Sequence, residues 1–191
     1  GFFAPGIKTL YKVLATENRY SLYVIAPERQ RSAVGRSITL HKPLFVTKHD
    51  LADNMIGYTV NGTPTDCVKI AIQGDFLPAK PDIIISGINA GPNLGTDVFY
   101  SGTVSAAMEG GLLGIPSLAV SVACHDCEDY LPSAKYIDSL LKKYSQIFQE
   151  NLVLNINLPD LKMGEWKGTK VTKLGKSMYE NTFERRQTPL G

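Results

Sequence analysis

Two asparagines and a cluster of small polar residues stand where an apolar strand gives way to a predicted helix. The segment SGINAGPNLGTDVFYSGT directly follows the apolar residues Ile83, Ile84 and Ile85. A plain connection between a strand and a helix needs only a few residues. The length and composition of this one therefore indicate chemistry, with Asn89 and Asn93 as candidate functional side chains.

The end of this segment has the residue types of an anion site. We expect a helix to begin near Ser101, Gly102 and Thr103, and the first N–H groups of a helix have no acceptor within it. Because these groups carry partial positive charge, they attract phosphate. Gly102 would let an oxyanion approach the backbone, and the hydroxyls of Ser101 and Thr103 could donate hydrogen bonds. Ordinary helix capping is the alternative, and the sequence leaves both open.

An asparagine amide offers both an acceptor and a donor. Its oxygen can ligate a hard cation such as Mg²⁺ or Mn²⁺, and its NH₂ group can hold a phosphate oxygen. We therefore interpret Asn89 and Asn93 as candidate catalytic residues of a phosphate-handling site. The alternative is that both only supply turn conformations, which explains one of them more easily than two.

Other catalytic signatures are missing from the sequence. Neither GxxxxGK[ST] nor a clean GxGxxG is present, which argues against a Walker phosphate loop and a dinucleotide fold. The GxSxG motif of serine hydrolases is also missing. The three histidines, His41, His49 and His125, fall in loops or at strand edges.

Length and charge limit the class of protein. The 191 residues suffice for one domain with a sizeable core. With 20 basic and 18 acidic residues, the chain is a poor candidate for binding a nucleic-acid duplex. No run approaches the roughly 18 apolar residues of a membrane helix. Three cysteines, an odd number, fit a reducing cytoplasm.

Cys124 and Cys127 form a CxxC motif. A structural zinc site needs four ligands, and no second cysteine pair is present. We therefore expect two thiols in a loop rather than a metal site.

Strand and helix patterns alternate along the chain. Helices are predicted over 4–17, 63–76, 103–114 and 133–148, and strands over 20–27, 38–49, 55–62, 81–86, 115–121, 152–159 and 168–175. This alternation is typical of a parallel sheet with helices on both faces. The strands over 38–49 and 55–62 suggest a small antiparallel excursion. Ligands of such sheets bind beyond the carboxyl ends of the strands, where the polar loops fall here.

Four motifs together carry a resemblance to a known family. The sequences SGINAGPNLGTDVFYSGTVSAAMEG, VNGTPTDCV, VIAPERQRSAVGRSITL and LNINLP strongly resemble the SurE family of survival proteins. The likeness covers nearly the whole chain. It implies a Rossmann-like α/β fold with a β-hairpin extension, and a C-terminal tail used in forming a homodimer or homotetramer.

The resemblance also implies a function and a site. Family members are metal-dependent phosphatases that act as 5′/3′-nucleotidases on nucleoside monophosphates. On the matching positions, Ser32 and Asn89 would ligate the divalent ion, Mg²⁺ or Mn²⁺. Asn93, Ser101, Gly102 and Thr103 would line the phosphate site. A metal-activated water would attack phosphorus in line, and Arg29, Arg31 or Arg36 could stabilise the charge.

The sequence departs from the family pattern at its start. Family members open with an apolar strand and an Asp-Asp pair that ligates the metal, whereas this sequence starts at Gly1. We therefore expect residues 1–191 to be a single domain without that strand and without part of the C-terminal tail. Since Ser32 and Asn89 are neutral ligands, metal binding should be weak. A nucleotide-binding regulatory protein without catalysis is the alternative function.

Overall fold

The computed structural model describes residues 1–31, 34–50, 56–124, 126–144, 152–177 and 186–187. Within these ranges helices and strands alternate as the sequence predicts. The α-helices are α1 (Pro5–Ala15), α2 (Pro64–Gln73), α3 (Gly102–Leu112) and α4 (Leu131–Tyr144). The strands are β1 (Val24–Pro27), β2 (Val46–Asp50), β3 (Ile56–Val60), β4 (Ile84–Ala90), β5 (Ser117–Ala123) and β6 (Val153–Pro159). Two short 3-10 helices span Gly95–Phe99 and Met163–Glu165.

The strands form two three-stranded sheets that are mainly parallel. One sheet has the order β1-β3-β2, and the other has the order β4-β5-β6. β1 runs parallel to β3, and β4, β5 and β6 are all parallel. Only β2 is antiparallel, where it forms a hairpin with β3. The α/β class with a mainly parallel sheet and a small hairpin is therefore confirmed.

The hairpin region differs from the prediction in two ways. The predicted strand over 38–49 is confined to β2, because Thr39 donates its N–H to the Asp66 carboxylate at 2.9 Å and Pro43 has no N–H to give. β3 also does more than close a hairpin, since it pairs in parallel with β1 and so belongs to the main sheet.

A predicted strand over 168–175 is wrong. These residues form no ladder with the described strands, and the side chain of Val171 is fully exposed. The apolar side chains of this segment, Val171 and Leu174, are exposed and have no sheet face to cover.

Helix α2 begins where its capping residues predict. The Thr63 hydroxyl accepts from the Asp66 N–H, and the Asp66 carboxylate accepts from the Thr63 N–H at 2.8 Å, which completes a capping box. Pro64 occupies the first helical position, where a missing N–H has no cost.

The main core lies between the β4-β5-β6 sheet and helices α1 and α4. It contains Leu118, Val120 and Ile137, all fully buried, together with Leu10 and Leu141. In the helix predicted over 133–148, apolar residues recur at helical spacing, and two of them, Ile137 and Leu141, are buried as that spacing predicts. Of the others, Tyr144 has no described side chain, and Phe148 lies outside the described residues.

Helix α3 is buried on most of its surface rather than along one stripe. In the helix predicted over 103–114, the helical spacing of Val104, Ala107 and Leu112 predicts one buried face, but Leu112 is 66% exposed. Val104 and Ala107 are buried, and so is Ala106. Gly110 faces β4 and β5, and a Cβ atom there would meet the Ser117 side chain and lie 2.7 Å from Ile84 Cδ1. This glycine therefore sets how closely α3 approaches the sheet.

The CxxC motif also differs from its prediction. Cys124 and Cys127, expected as two thiols, are paired as a disulfide directly after β5. Their Cα atoms are 5.5 Å apart, within the usual range for a disulfide. The third cysteine, Cys67, is free and buried in α2.

A cavity of about 910 Å³ separates the two sheets. Its walls include Val24 and Ile25 of β1, Ile84 and Ile85 of β4, and residues of α1 and α2. Each of these strands pairs with one partner only among the described residues, so the edges that face the cavity have no ladder. None of the described helices has the length and apolar character needed to cross a bilayer.

The close approach at Gly110 generates a stability prediction. Gly110→Ala should destabilise the fold by about 1–3 kcal/mol, because the added methyl group overpacks the contact with Ser117 and Ile84. At an unconstrained helix position the same change stabilises the fold by about 1 kcal/mol, because alanine has the higher helix propensity. At Gly110 we therefore expect the opposite sign for the change in the free energy of unfolding. Urea denaturation measures the change.

The matched control is Gly164→Ala. No atom lies within 4 Å of the position where its methyl group would be placed, so we expect a change within about 0.5 kcal/mol. A Gly110→Ala protein as stable as the wild type would contradict the packing argument.

Candidate active site

The polar loops that the sequence predicts beyond the carboxyl ends of the strands meet around Gly102. We call the edge that they form the rim. A Cβ atom at Gly102 would lie 3.0 Å from Pro64 Cγ, 3.3 Å from the Arg31 carbonyl oxygen and 3.5 Å from Val34 Cγ2. Pro64 begins α2 just after β3, and Arg31 and Val34 follow β1. The loops after β1 and β3 therefore converge on the start of α3. These close distances give the glycine a packing role, and its role in binding phosphate stays a prediction.

Ser101 caps helix α3. Its hydroxyl oxygen accepts from the Val104 N–H at 3.2 Å, and its carbonyl accepts from the Ser105 N–H at 3.0 Å. The capping alternative is thus correct for this hydroxyl. Capping by Ser101 does not satisfy every N–H group at the start of the helix. The N–H groups of Gly102 and Thr103 have no acceptor among the described residues.

These two N–H groups are what the site offers an anion. They lie in the first turn of an 11-residue helix, where the backbone dipoles add up to a partial positive charge. No acidic residue occupies this turn. The start of α3 therefore has the polarity that a phosphate dianion requires.

Asn93 is the centre of a polar network beneath the loop. It is 7% exposed, and its side-chain NH₂ donates to Ser121 Oγ at 2.6 Å. Its backbone N–H donates to Asn157 Oδ1 at 2.8 Å. Its carbonyl accepts from the amides of Asn155 and Asn157 at 2.8 and 3.1 Å. These bonds assign Asn93 a positioning role, and direct contact with phosphate stays a prediction.

The partners of Asn93 are the residues that the sequence reasoning missed. Ser121 lies on β5, and Asn155 and Asn157 lie on β6. A signal for the last two was present, since two asparagines two positions apart in the apolar strand LVLNINLP share one face of that strand.

Asn89 lies near the carboxyl end of β4 with its amide fixed in one orientation. Its NH₂ group donates to the carbonyls of Ala90 and Gly91 at 3.0 and 2.8 Å. This leaves Oδ1 without a donor among the described residues. The atom that remains available is the oxygen, which is the one a metal ion would use.

The arginines considered for charge stabilisation are partly engaged. Arg31 donates to the Asn61 carbonyl at 3.2 Å. Arg36 lies 3.8 Å from the carboxylate of Glu109, a buried residue of α3 that also binds Lys69 of α2 at 3.3 Å. These contacts hold the loop after β1 against both helices.

Asp66 fixes the other side of the same loop. Besides capping α2, its carboxylate accepts from the Thr39 N–H at 2.9 Å and from the Thr39 hydroxyl at 2.7 Å. Burial raises the pKa of Asp66, but the hydrogen bonds from Thr63 and Thr39 outweigh this and lower it below its ordinary value. The carboxylate is therefore ionised at neutral pH and acts as a structural anchor.

The described residues do not by themselves fit a hard divalent ion. They contain no group of three or more His, Cys, Asp or Glu residues arranged to hold a metal. Asn89 Oδ1 is one neutral oxygen, whereas such ions normally take several ligands including carboxylates. Ser32, the other predicted ligand, lies outside the described residues.

Comparison with known proteins gives consistent matches along the chain. The family described as "Survival protein SurE" matches residues 1–181. The chain is 58% identical to the 5′-nucleotidase SurE of Desulfitobacterium hafniense (strain DSM 10664 / DCB-2), over all of this chain and 74% of that protein. It is 45% identical to the 5′-nucleotidase SurE of Natranaerobius thermophilus, over 100% and 76% of the two chains.

A solved structure agrees with these matches. The crystal structure of the SurE protein from Aquifex aeolicus superposes with a TM-score of 0.83 at 38% identity, over 100% of this chain and 75% of that one. With the family match over nearly its whole length and relatives of this similarity, the chain belongs to the SurE family of survival proteins.

Proposed function

We propose that this chain carries the activity for which its relatives are named. It is a nucleotidase, a hydrolase that releases inorganic phosphate from nucleoside monophosphates. The structural observation that carries this conclusion is the start of α3. Two N–H groups without acceptors lie there on a rim formed by the loops after β1 and β3.

The chemistry assigned to these residues is binding and charge stabilisation. Water attacks phosphorus in line with the departing ribose oxygen, and the P–O bond to that oxygen breaks. A proton from the attacking water ends on the ribose oxygen, which leaves as a hydroxyl. The N–H groups of Gly102 and Thr103 donate to non-bridging phosphate oxygens, where negative charge is held during the transfer. The network around Asn93 keeps the loop before α3 in place, so these donors are oriented before the substrate arrives.

We also propose that Asn89 Oδ1 and Ser32 belong to a site for Mg²⁺ or Mn²⁺. The fixed amide of Asn89 supports this, because its NH₂ group is already used by two carbonyls. Carboxylate ligands would have to come from outside the described residues. For that reason we derive no reaction step through the ion.

The single-domain interpretation is a further proposal. The two sheets would be halves of one parallel sheet, joined by the apolar strand that the resemblance puts ahead of Gly1. The cavity between β1 and β4 supports it, because both unpaired strand edges line the space.

We also propose an assembly and a location for the protein. A homodimer or homotetramer would cover exposed apolar side chains such as Phe45, Phe99 and Tyr100. The location we propose is the cytoplasm, which the odd number of cysteines favours. A disulfide that opens and closes reversibly is compatible with that location.

The activity itself is the first prediction. The protein should release inorganic phosphate from nucleoside monophosphates in the presence of Mg²⁺ or Mn²⁺ and should stop after exhaustive treatment with EDTA. Colorimetric phosphate release measures both. Undiminished turnover after chelation would exclude a metal mechanism. Nucleotide binding without any release would favour the regulatory alternative.

A charge placed in the first turn of α3 tests the anion site. Thr103→Glu should weaken binding of inorganic phosphate more than about tenfold, since like charges about 4 Å apart repel by about 4 kcal/mol at an effective dielectric constant of about 20. The helix should not suffer, because a carboxylate in the first turn stabilises it by about 0.3–1 kcal/mol. Calorimetric titration and the melting temperature separate the two effects.

The matched control is Thr103→Gln, because a glutamine side chain has nearly the shape of glutamate but carries no charge. We expect it to bind phosphate within a few-fold of the wild type. If Thr103→Glu binds phosphate as well as Thr103→Gln does, the start of α3 is not the anion site.

Asn89→Ala tests the proposed metal ligand. The change removes the free Oδ1 and the two local hydrogen bonds that the NH₂ group donates to the Ala90 and Gly91 carbonyls, but no core contact. Half-maximal activation should therefore need more Mn²⁺, while the melting temperature falls by only a few degrees. Activity is titrated against Mn²⁺ for both proteins. A variant with an unchanged Mn²⁺ requirement would remove Asn89 from the metal site.

A further inference from the structure

The disulfide between Cys124 and Cys127 lies next to the loop that carries Asn89. Cys124 directly follows β5, the central strand of the β4-β5-β6 sheet, and β5 pairs with β4 up to Ala90. Both sulfur-bearing side chains pack against the core cluster that includes Ile88 and Tyr130. Ile88 is the residue before Asn89, so the disulfide and the candidate site share one packing unit.

Two hydrogen bonds connect the end of β5 to the Asn89 side chain. The Val122 carbonyl accepts both the Cys124 N–H at 2.9 Å and the Gly91 N–H at 3.0 Å. The Gly91 carbonyl in turn accepts from Asn89 Nδ2 at 2.8 Å. A change in the backbone at Cys124 therefore reaches the amide of Asn89 through one shared acceptor.

The far end of the cysteine segment is anchored as well. Tyr130 is buried, its ring would lie 3.2 Å from a Cβ atom at Gly6, and its carbonyl accepts from the Ala134 N–H of α4 at 2.9 Å. With β5 at one end and Tyr130 at the other, making or breaking the disulfide alters a short segment between two fixed points.

We propose that Cys124 and Cys127 form a reversible redox site that controls the order of the Asn89 loop. The disulfide holds the end of β5 in place, and so keeps the shared Val122 carbonyl in position for Gly91. Reduction removes that restraint and loosens residues 89–91. Only the expectation that reduction also changes turnover rests on the proposed function. The redox site and its effect on the Asn89 loop do not.

The redox step is thiol–disulfide exchange with a low-molecular-weight thiol. Cys127 is the more exposed of the two cysteines, so the thiolate attacks its sulfur, the Cys124–Cys127 bond breaks, and Cys124 leaves as a thiolate that takes up a proton. A second thiol attacks the mixed disulfide, releasing Cys127 as a thiol and the reagent as its own disulfide. Oxidation by that small disulfide is the reverse.

The site is first tested by its chemistry. The protein is equilibrated in glutathione buffers of different reduced-to-oxidised ratio and alkylated with iodoacetamide. Its intact mass is then measured by mass spectrometry, which counts the alkylated cysteines. We expect two thiols to become reactive together at one ratio. Cys67 serves as the internal reference, because burial raises its pKa to about 12 and it should remain unlabelled in both states. Two cysteines that stay alkylatable at every ratio would overturn the proposal.

The consequence is tested by hydrogen exchange on the same samples. Reduction should accelerate exchange several-fold in the peptide over residues 86–94 and leave the peptide over residues 102–112 unchanged. The double variant Cys124→Ser/Cys127→Ser should exchange like the reduced protein in either buffer. The matched variant Cys67→Ala, which keeps the disulfide, should respond like the wild type.

These readouts do not depend on turnover. A redox-dependent change at 86–94 in a protein that releases no phosphate would support the redox site and count against the proposed function. Equal exchange at 86–94 in both states, with the disulfide shown by mass to form and break, would overturn the proposed control of the loop.

Discussion

The hydrogen bonds of the Asn93 backbone fix the position of the candidate site. A segment between β4 and α3 would ordinarily be a solvated loop with its backbone groups bonded to water. Here the Asn93 N–H and carbonyl are both satisfied by β6, through Asn155 and Asn157, and its side chain is bonded to Ser121 of β5. Asn93 and Ser121 are buried, and breaking their bonds would leave buried polar groups unpaired, so the network favours one arrangement of the loop. Since this loop leads into α3, its arrangement also sets the position of the first turn of that helix.

The opposite side of the rim is held by two buried carboxylates on neighbouring helices. Asp66 of α2 binds Thr39, and Glu109 of α3 binds Arg36, so both anchor the loop that follows β1. Burying a carboxylate is expensive, and pairs of this kind contribute little net stability. Their contribution is to hold the loop after β1 in one position. They bring Arg31 and Val34 against Gly102, where the helix N–H groups face the rim.

Sequence reasoning succeeded where the governing interactions are local. The capping box of α2 involves residues three positions apart, and the core-facing residues of α4 follow helical spacing, so both could be predicted. It failed where a distant group decides. The strand predicted over 38–49 is shortened because Asp66, far along the chain, takes the Thr39 N–H. In the same way Asn93 is a candidate from its sequence context, but its partners on β5 and β6 lie about 30 to 60 residues away. The spacing of Asn155 and Asn157 puts them on one strand face, but no local pattern pairs them with Asn93.

One buried hydroxyl connects the cavity between the sheets with the candidate site. Thr65 is 1% exposed, and its Oγ1 has no hydrogen-bond partner among the described residues. An unsatisfied buried hydroxyl costs about 1–3 kcal/mol, so a stable fold normally supplies it with a partner. Thr65 lies between Pro64, which contacts Gly102, and Cys67, which lines the cavity. The unpartnered hydroxyl of Thr65 and the unpaired edges of β1 and β4 therefore lie in one part of the molecule, between the cavity and the loops that meet at Gly102.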